Sequence, residues 1–546
     1  MDERTRKDIF PKKIVLTKGS VENTESLLIP RPLQITTDEP VCAVLSNGND
    51  GNCAEVILDF GIEMNASPKI LAHVISGAAP AKVRIVSGES VSETMSDIGG
   101  VKNATNDHAL RDFETLLPQF SDMTFSESGF RFLRVRLESP NTVLRIKTIT
   151  ATAIYRDIPY LGSFECSNET LNRIYSTAAY TCHQCMQQYV WDGIKRDRLV
   201  WVGDMHPEML TVRTVFGPQK VFEDSLSFMR DQTPLSGWMN GMPSYSLWWL
   251  IMAWDWYYYT GNKAFLEENR AYALSLADKI QSLVDSEGND SLPGYFLDWP
   301  SHDTAWEQAG TRALMALALR KCHLLCEELG NGELGKICLE KAELICKTPL
   351  ETFGAKQVEA MAALAGWKNM TEAGENILQG GAKGFSTFMS YYLLTVAAGR
   401  DTEKALDILE SYYGAMLSMG ATTFWEDFNI DWLGDSAAPI DAPVKEDEND
   451  IHGDHGAFCY IGLRHSLCHG WSSAVTAFLA ETVLGIKIAA PGCREIVIRP
   501  DLCGLDFARG TYPTPLGILS VSVTKGENGL SVDYTAPEGV KVRIEK

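Results

Sequence analysis

The spacing of hydrophobic and polar residues divides the chain into three successive parts, of which the first is rich in strands. In residues 1–160, short runs of β-branched and aromatic residues recur between Gly, Asn, Asp and Pro, as in strands joined by turns. In FRFLRVRL, residues 130–137, hydrophobic and polar side chains alternate and predict a strand with one solvent-facing side. We predict an N-terminal β-sandwich of the jelly-roll type over residues 1–160. It could bind sugar or support the next domain, and we favour support.

Near residue 165 the pattern changes to helical spacing. Ser167 or Asn168 can cap a first helix, after which hydrophobic residues recur three and four positions apart. About ten to twelve helices with short turns are expected up to residue 485. They fit a barrel of antiparallel helical hairpins or an α-solenoid, and the lack of a fixed-period repeat weakens the solenoid. The predicted helices span residues 207–230, 244–260, 263–284, 303–330, 332–347, 354–366, 370–379, 384–398, 401–419 and 470–485.

Strand patterns return after Gly485. Alternating runs cover residues 494–501, 517–526, 529–535 and 540–546, with a predicted turn at residues 526–529. The predicted fold class is therefore multidomain α+β. A central (α/α)6 helical barrel over residues 161–485 is flanked by the N-terminal β-sandwich and by a small C-terminal β-domain over residues 486–546.

Composition narrows the function. The 49 basic and 71 acidic residues give a net charge of −22, which disfavours nucleic acid and anionic membranes as partners. No apolar run of about 18 residues predicts a membrane span. The charged N-terminus lacks the apolar core of a secretion signal, and 13 scattered cysteines are typical of reduced thiols, so we expect a cytoplasmic protein. Cys182 and Cys185 form an isolated CxxC pair, and we expect no metal or cofactor.

Residues 191–208, WDGIKRDRLVWVGDMHPE, concentrate candidate chemistry. The stretch is too charged for a core strand, and Gly193 and Gly203 weaken it as a helix. Carboxylates can perform acid–base chemistry and bind hydroxyls, while indole faces stack on the C–H surfaces of sugar rings. The stretch therefore indicates a sugar site. The alternative is a solvated charged loop with a structural ion pair, which is common on protein surfaces.

Other predicted loops also combine tryptophan with ionisable residues. A single tryptophan is usually explained by packing. Core packing does not need charged neighbours beside the indole, however, because buried charges are costly. The recurrence of the combination predicts that these loops meet around one cavity. The residues concerned are Trp238, Trp248, Asp298, Trp299, Trp425, Glu426 and His469.

Two motifs resemble those of bacterial α-L-rhamnosidases of glycoside hydrolase family 78. The first barrel loop of that family reads Asp-Cys-Pro-x-Arg-Glu-x-x-Gly-Trp-x-Gly-Asp or a close variant. Residues 192–204 keep its spacing, and the matching positions are Asp192, Arg196, Trp201, Gly203 and Asp204. GATTFWE, residues 420–426, matches the later motif Gly-Ala-Thr-Thr-x-Trp-Glu. The resemblance covers the barrel, the C-terminal domain and, more loosely, the last N-terminal strands.

The resemblance implies an inverting glycosidase that removes terminal α-L-rhamnose. By family position, Asp197 is the general acid and Glu426 the general base, Asp192 and Asp204 bind sugar hydroxyls, and His469 contacts the substrate. The remaining expected substrate-binding residues come from the same motifs and from the aromatic loops. They are Arg196, Trp201, Trp238, Trp248, Asp298, Trp299 and Trp425.

The chain departs from the family pattern in ways that leave alternatives. Gly193 and Ile194 replace Cys-Pro, and Asp197 stands where the family usually has the longer glutamate. The extra β-domains of larger family members are missing, which indicates a divergent compact member. One alternative is a glycosidase of the same barrel type acting on another sugar. Another is a carbohydrate-binding protein without turnover. The expected partner is a carbohydrate or glycoside, and a homodimer is left open.

Overall fold

The computed structural model describes residues 2–38, 40–526 and 529–545. Its N-terminal part consists of antiparallel strands, one short α-helix and a 3-10 helix at Thr24–Leu28. The elements are β1 (Arg4–Ile9), β2 (Lys13–Lys18), β3 (Ser20–Glu22), β4 (Ala43–Asn47), β5 (Glu55–Ser76), β6 (Ala81–Gly88), α1 (Val91–Met95), β7 (Asp112–Leu117), β8 (Ser121–Thr124), β9 (Ser128–Leu137) and β10 (Thr142–Arg156).

The long strand β5 organises this N-terminal sheet. The strand order is β3-β4-β10-β5-β9-β6-β7, with β1 added to β10, and β2 and β8 added to β5. The first half of β5 pairs with β2 and β9, and the second half pairs with β10 and β8. Apolar side chains such as Val56, Val83, Val135 and Leu144 are fully buried between the strands. Each comes from a run of β-branched and aliphatic residues that favours pleated structure.

The solvent-facing side predicted for residues 130–137 is wrong. The strand is β9, as predicted, but Arg131 and Arg134 are only 6% and 5% exposed. Arg131 forms two 2.8 Å hydrogen bonds to the Asp59 carboxylate and donates to the carbonyl of Gly420 at 2.9 Å. The guanidinium of Arg131 can be buried because these partners satisfy it. At Arg131 the strand therefore contacts the loop of the GATTFWE motif.

Helices dominate the middle of the chain. Asn168 caps the first of them, accepting N–H bonds from Thr170 and Leu171. The helices are α2 (Glu169–Cys185), α3 (Met205–Thr211), α4 (Lys220–Gln232), α5 (Pro243–Thr260), α6 (Lys263–Ser282), α7 (Ala305–Glu328), α8 (Gly332–Lys347), α9 (Lys356–Leu364), α10 (Met370–Leu378), α11 (Ser390–Ala398), α12 (Thr402–Ser418) and α13 (Val475–Thr482).

The continuous helix predicted for residues 207–230 is divided. Helix α3 is followed by a π-helical turn at Val212–Phe216, and α4 begins only at Lys220. Gly217 between them adopts a left-handed backbone with φ of 79°. Pro218 follows it and lacks the N–H that a continuous helix needs. The Gly-Pro pair therefore ends the helix, and the hydrophobic spacing runs through the break.

The C-terminal part contains two small sheets. Strands β11 (Ser163–Cys166), β16 (Phe507–Thr514), β17 (Gly517–Gly526) and β18 (Gly529–Thr535) form one in that order. Strands β14 (Ile486–Ile488), β15 (Glu495–Ile498) and β19 (Lys541–Ile544) form the other. A minor pair, β12 (Ala437–Ala438) and β13 (Asn449–Asp450), lies in a long loop. Of the turn predicted at residues 526–529, Glu527 and Asn528 lie outside the described residues.

The predicted combination of a helical middle with sheet domains at both ends is confirmed, and the (α/α)6 arrangement of the helices stays a prediction. The cysteines are all free thiols, as expected. Within the described ranges, no helix has the length and apolar character needed to cross a bilayer.

Candidate active site

The loop between α2 and α3, residues 186–204, carries the first motif and is fixed against the segment before α13. The N–H of Gly470 donates to the carbonyl of Asp192 at 2.7 Å, and Gly193 forms an antiparallel bridge with His469. A Cβ on Gly193 would lie 3.0 Å from the Cys468 carbonyl, so glycine permits this close approach. The first motif and His469 are therefore held side by side by their backbones.

Three carboxylates surround the ring of His469. Its Nε2 atom lies 3.7 Å from Asp192 Oδ2, 3.8 Å from Asp204 Oδ2 and 4.0 Å from Glu426 Oε1. All four side chains are buried. Burial raises the pKa of the carboxyls of Asp192, Asp204 and Glu426, and it lowers the pKa of His469. The histidine is therefore neutral at pH 7 and can exchange hydrogen bonds with a hydroxyl-rich ligand.

Arg196 connects the two residues expected to act as acid and base. Its Nη2 atom contacts Glu426 Oε1, and its Nη1 atom lies 3.2 Å from Asp197 Oδ1. The other oxygen of Glu426 accepts the N–H of Ser466 at 3.1 Å. Burial raises the pKa of Glu426, and the charge of Arg196 and the Ser466 N–H oppose that rise. Hydrogen bonds thus fix the orientation of Glu426, and opposing effects act on its pKa.

Asp197 occupies the rim of the site and has an unusual backbone. Its φ is 54°, in the left-handed region that L-residues rarely adopt. Its N–H donates to His108 Nδ1 at 2.7 Å, and its Oδ2 accepts the indole N–H of Trp201 at 3.1 Å. Arg196 and Trp201 therefore both donate to this carboxylate. Donation of a proton from Asp197 would require these bonds to rearrange.

Asp204 is held by an aromatic contact that the first motif makes possible. The Tyr245 hydroxyl donates to Asp204 Oδ1 at 2.9 Å. A Cβ at Gly203 would collide with the Tyr245 ring, so the glycine lets the ring pack on the loop. Trp201 meets the same ring edge to face, with centroids 6.0 Å apart. The motif's Trp-x-Gly-Asp spacing thereby fixes one hydrogen-bonding edge of Asp204 and leaves Oδ2 facing His469.

Asp298 and Trp299 reach the other side of Glu426. They share with it a small cavity of about 10 Å³, whose lining also includes Asp427, Tyr460 and Trp471. Asp298 accepts a hydrogen bond from the Ser386 hydroxyl at 2.9 Å. Burial raises the pKa of Asp298 to about 6, although Ser386 and Ser301 lower it. The cavity therefore places a further carboxyl group and an indole beside the expected base.

Trp238, Trp248 and Trp425 make packing contacts. Trp248 is 1% exposed and packs on the rings of His206 and Tyr392 at 4.9 and 5.4 Å. The ring of Trp238 faces the Lys279 ammonium at 3.4 Å. Trp425 is fully buried against Phe428, with ring centroids 5.6 Å apart. The remaining expected residues converge around His469, Arg196 and the cavity; they are Asp192, Asp197, Trp201, Asp204, Asp298, Trp299 and Glu426.

Several residues at the site were missed by the sequence reasoning. Tyr245 and Trp471 lie close in sequence to the predicted residues Trp248 and His469, and Trp471 Nε1 donates to the Glu426 carbonyl at 2.9 Å. Their nearness in sequence to predicted site residues was therefore a usable signal. His108 and Ser466 had no such clue, because they come from a loop of the N-terminal part and from an irregular segment.

Comparison with known proteins places the chain beside the bacterial rhamnosidases. Residues 159–326 match the bacterial alpha-L-rhamnosidase 6 hairpin glycosidase domain, and residues 485–545 match the bacterial alpha-L-rhamnosidase C-terminal domain. A curated alpha-L-rhamnosidase from Alteromonas sp. (strain LOR) is 23% identical over 90% of this chain and 55% of its own length. The resemblance predicted from the two motifs is confirmed. The chain spans about half the length of this curated relative.

Solved structures show the same fold. The GH78 rhamnosidase of Bacillus sp. GL1 aligns with a TM-score of 0.76 and 22% identity, over 95% of this chain and 55% of that one. A rhamnosidase from Klebsiella oxytoca, solved with rhamnose bound, aligns with a TM-score of 0.68 and 19% identity, over 88% of this chain and 96% of that one. An α-L-rhamnosidase from Streptomyces avermitilis, complexed with L-rhamnose, has a TM-score of 0.68 at 17% identity, over 92% and 49% of the chains.

Proposed function

We propose that the protein is a glycoside hydrolase that removes terminal α-L-rhamnose from glycosides with inversion of configuration. The observation that carries this proposal is the convergence of Asp192, Asp204 and Glu426 on His469, with Arg196 joining Glu426 to Asp197. Buried carboxylates around a neutral imidazole suit a ligand rich in hydroxyl groups. The proposal that the sugar is rhamnose comes from the names of the similar proteins.

In the proposed reaction Glu426 is the general base and Asp197 the general acid. Glu426 takes a proton from water as the water oxygen attacks the anomeric carbon. Asp197 gives its proton to the glycosidic oxygen as the bond to the leaving group breaks. Inverting pairs stand roughly 6.5–9.5 Å apart to leave room for that water. One guanidinium contacts both carboxyls, which suits a separation of this order, and substrate would displace it from one of them.

The other site residues bind and enclose the sugar in this proposal. Asp192, Asp204 and His469 hydrogen-bond to hydroxyls, while Trp201 and Trp299 supply apolar walls. We also propose that residues 161–485 form the (α/α)6 barrel between domains at 1–160 and 486–546. Contact of α2, the first helix of this region, with both α12 and α13 supports a closed ring of helices.

Incubation with a panel of aryl glycosides tests the function. Release from the α-L-rhamnoside, strongly reduced in the Glu426→Gln variant, is the expected result. Proton NMR during turnover should show β-L-rhamnose as the first product, because inversion changes the anomeric configuration. Release from another sugar only would assign the barrel a different substrate. Binding of L-rhamnose without release from any glycoside would instead identify a carbohydrate-binding protein.

A further inference from the structure

Beneath the candidate active site, a buried ionic cluster joins the N-terminal part to the motif loop. Lys195 directly precedes Arg196, and its side chain is fully buried. Its Nζ atom lies 2.9 Å from Glu93 Oε1 and 3.4 Å from Glu89 Oε2. Glu93 lies in α1, and Glu89 lies just before that helix. A buried ammonium requires such partners, so the cluster fixes the motif loop to the N-terminal part.

The spacing of this cluster also fits a metal ion, but Lys195 already provides the positive charge. Ligand atoms of Glu89, Glu93 and His452 lie within 4.8 Å of one another. The Lys195 ammonium lies beside both carboxylates. Both ring nitrogens of His452 have hydrogen-bond partners, the Ser90 hydroxyl at 2.7 Å and the His465 carbonyl at 2.9 Å. The cluster is therefore satisfied as an ion network.

This network holds the irregular segment 463–467 at several points. Lys195 Nζ donates to the carbonyl of His465 at 2.7 Å. Glu89 Oε2 accepts the N–H of Leu467 at 2.6 Å, a charge-assisted bond to a buried backbone group. Glu89 is itself 1% exposed and lies far from the segment in sequence. The backbone of residues 463–467 is thus positioned by groups from two other parts of the chain.

Ser466 transmits this positioning to Glu426. Its hydroxyl is shared between Glu89 Oε1 at 3.3 Å and the Cys468 carbonyl at 3.2 Å, and its N–H donates to Glu426 Oε2 at 3.1 Å. Its carbonyl accepts the N–H of Glu426 at 2.9 Å. Both the main chain and the carboxylate of Glu426 are therefore hydrogen-bonded to Ser466, and Glu89 contacts Ser466 from the other side. A general base works only when its oxygen points at the attacking water.

We propose that Glu89 is a positioning residue for the reaction, holding Ser466 and Leu467 so that the Ser466 N–H orients the carboxylate of Glu426. The inference rests on the proposed function and extends it. Glu89 lies behind the base and acts through Ser466. The N-terminal part, expected to be a support, thereby takes part in arranging the catalytic groups.

A double-mutant cycle tests this role. Glu89→Ala is introduced into the wild type and into Glu426→Gln, and kcat and KM are measured on the glycoside that the wild type cleaves. In the wild type, kcat should fall about 10–10²-fold, the cost of misplacing a reacting group, with KM changed less than about threefold. In the Glu426→Gln background the same substitution should lower kcat less than about threefold, because the two residues act as one unit.

The matched control is Glu359→Ala. Glu359 is also a buried carboxylate paired with a lysine, Lys368 at 2.9 Å, but it lies in α9. Its substitution should lower kcat by the same small factor in both backgrounds. Equal, multiplicative losses for Glu89→Ala in the two backgrounds would overturn the positioning role.

Glu89→Gln replaces alanine in the cycle if the alanine variant does not fold. Its amide oxygen still accepts the Leu467 N–H, so kcat should lie between those of the wild type and Glu426→Gln. Equal losses in both backgrounds would again overturn the role. If the wild type cleaves no glycoside, the proposed function fails and the positioning role fails with it. If it does cleave one and the losses are additive in free energy, only the positioning role fails.

Discussion

At the scale of single residues, the carboxylates of the site differ in their contacts and should differ in their kinetic effects. Glu426→Gln should lower kcat about 10²–10⁴-fold by removing the base. Asp197→Asn should cost more on a natural glycoside than on an aryl glycoside, because a phenolate leaves with little protonation. Asp192→Asn should weaken both substrates similarly, since hydroxyl binding does not depend on the leaving group. Values of kcat/KM on both substrates measure this contrast.

A different pattern of kinetic effects would assign the role of proton donor to another residue. If Asp197→Asn harmed both substrates equally while a variant of Asp204 or Glu208 showed leaving-group dependence, the role of Asp197 would be wrong. Burial raises the pKa of both Asp204 and Glu208. Within the described part of the chain, neither carboxyl oxygen of Glu208 has a hydrogen-bond partner. The resemblance to the rhamnosidases would stand in that case, with the acid at a new position.

Arg196 should set the lower pH limit of activity. Glu426 must be ionised to act as a base, so kcat/KM falls as pH drops through its pKa, which burial raises and Arg196 lowers. Arg196→Met should therefore move this limit to higher pH, by about 1–3 units for a carboxylate that loses a cationic neighbour. Arg198→Met is the control, because Arg198 pairs with Glu127 at 2.6 Å. An equal shift in both variants, or a shift to lower pH, would contradict this explanation.

At the scale of elements, local sequence patterns predicted the strands whose positions depend on neighbouring residues. Strands β17 and β18 coincide with the predicted runs 517–526 and 529–535, because alternation and flanking glycines are both local features. The burial of β9 was not predictable, since Asp59 and Gly420, which pair with Arg131, lie elsewhere in the chain. The same limit applies to function, because no pattern around Glu89 or His108 indicates that they reach the site.

The turn that carries Asp298 should respond to pH. Burial raises the pKa of Asp298 to about 6, above the ordinary value of 3.8. Its stabilising contribution is therefore complete below about pH 4 and is lost as pH rises through 6. Asp298→Asn keeps a residue that can cap the turn and removes the charge. The free energy of unfolding of the variant minus that of the wild type should rise by about 2–3 kcal/mol as the pH increases from 4.5 to 7.5.

Denaturant unfolding at the two pH values measures this gain. Asp435→Asn is the control, because Asp435 is an exposed carboxylate in another loop. The control should differ from wild type by a constant amount at both pH values. A pH-independent difference for Asp298→Asn would contradict the buried, reluctantly ionised carboxyl that the structure indicates.

At the scale of the whole molecule, the site depends on contacts between parts that are separate in sequence. The N-terminal part provides His108 to Asp197 and Glu89 to the segment beneath Glu426. The helical part provides the motif loop, and β11 at its start pairs with β16 of the C-terminal part. Because these parts share buried polar groups, we expect them to unfold together.

Lys195→Met tests this coupling. The substitution removes the cation nearest to the buried Glu89 and Glu93, and it removes the donor to the carbonyls of Leu463 and His465. Removing one partner of a buried ion pair typically costs about 3–5 kcal/mol. The variant should therefore unfold at a lower temperature. Calorimetry should also show the single wild-type transition divide into two, because the N-terminal part loses its buried ion pairs to the motif loop.

Lys404→Met is the control for that experiment. Lys404 pairs with Asp401 at 3.2 Å, but its side chain is 67% exposed. Its removal should change stability by less than about 0.5 kcal/mol, as is usual for surface ion pairs. If Lys195→Met matched this control and kept one transition, the buried cluster would not couple the parts. A large loss with one transition would show that the parts are joined mainly by the packing around β9, where Arg131 meets Gly420.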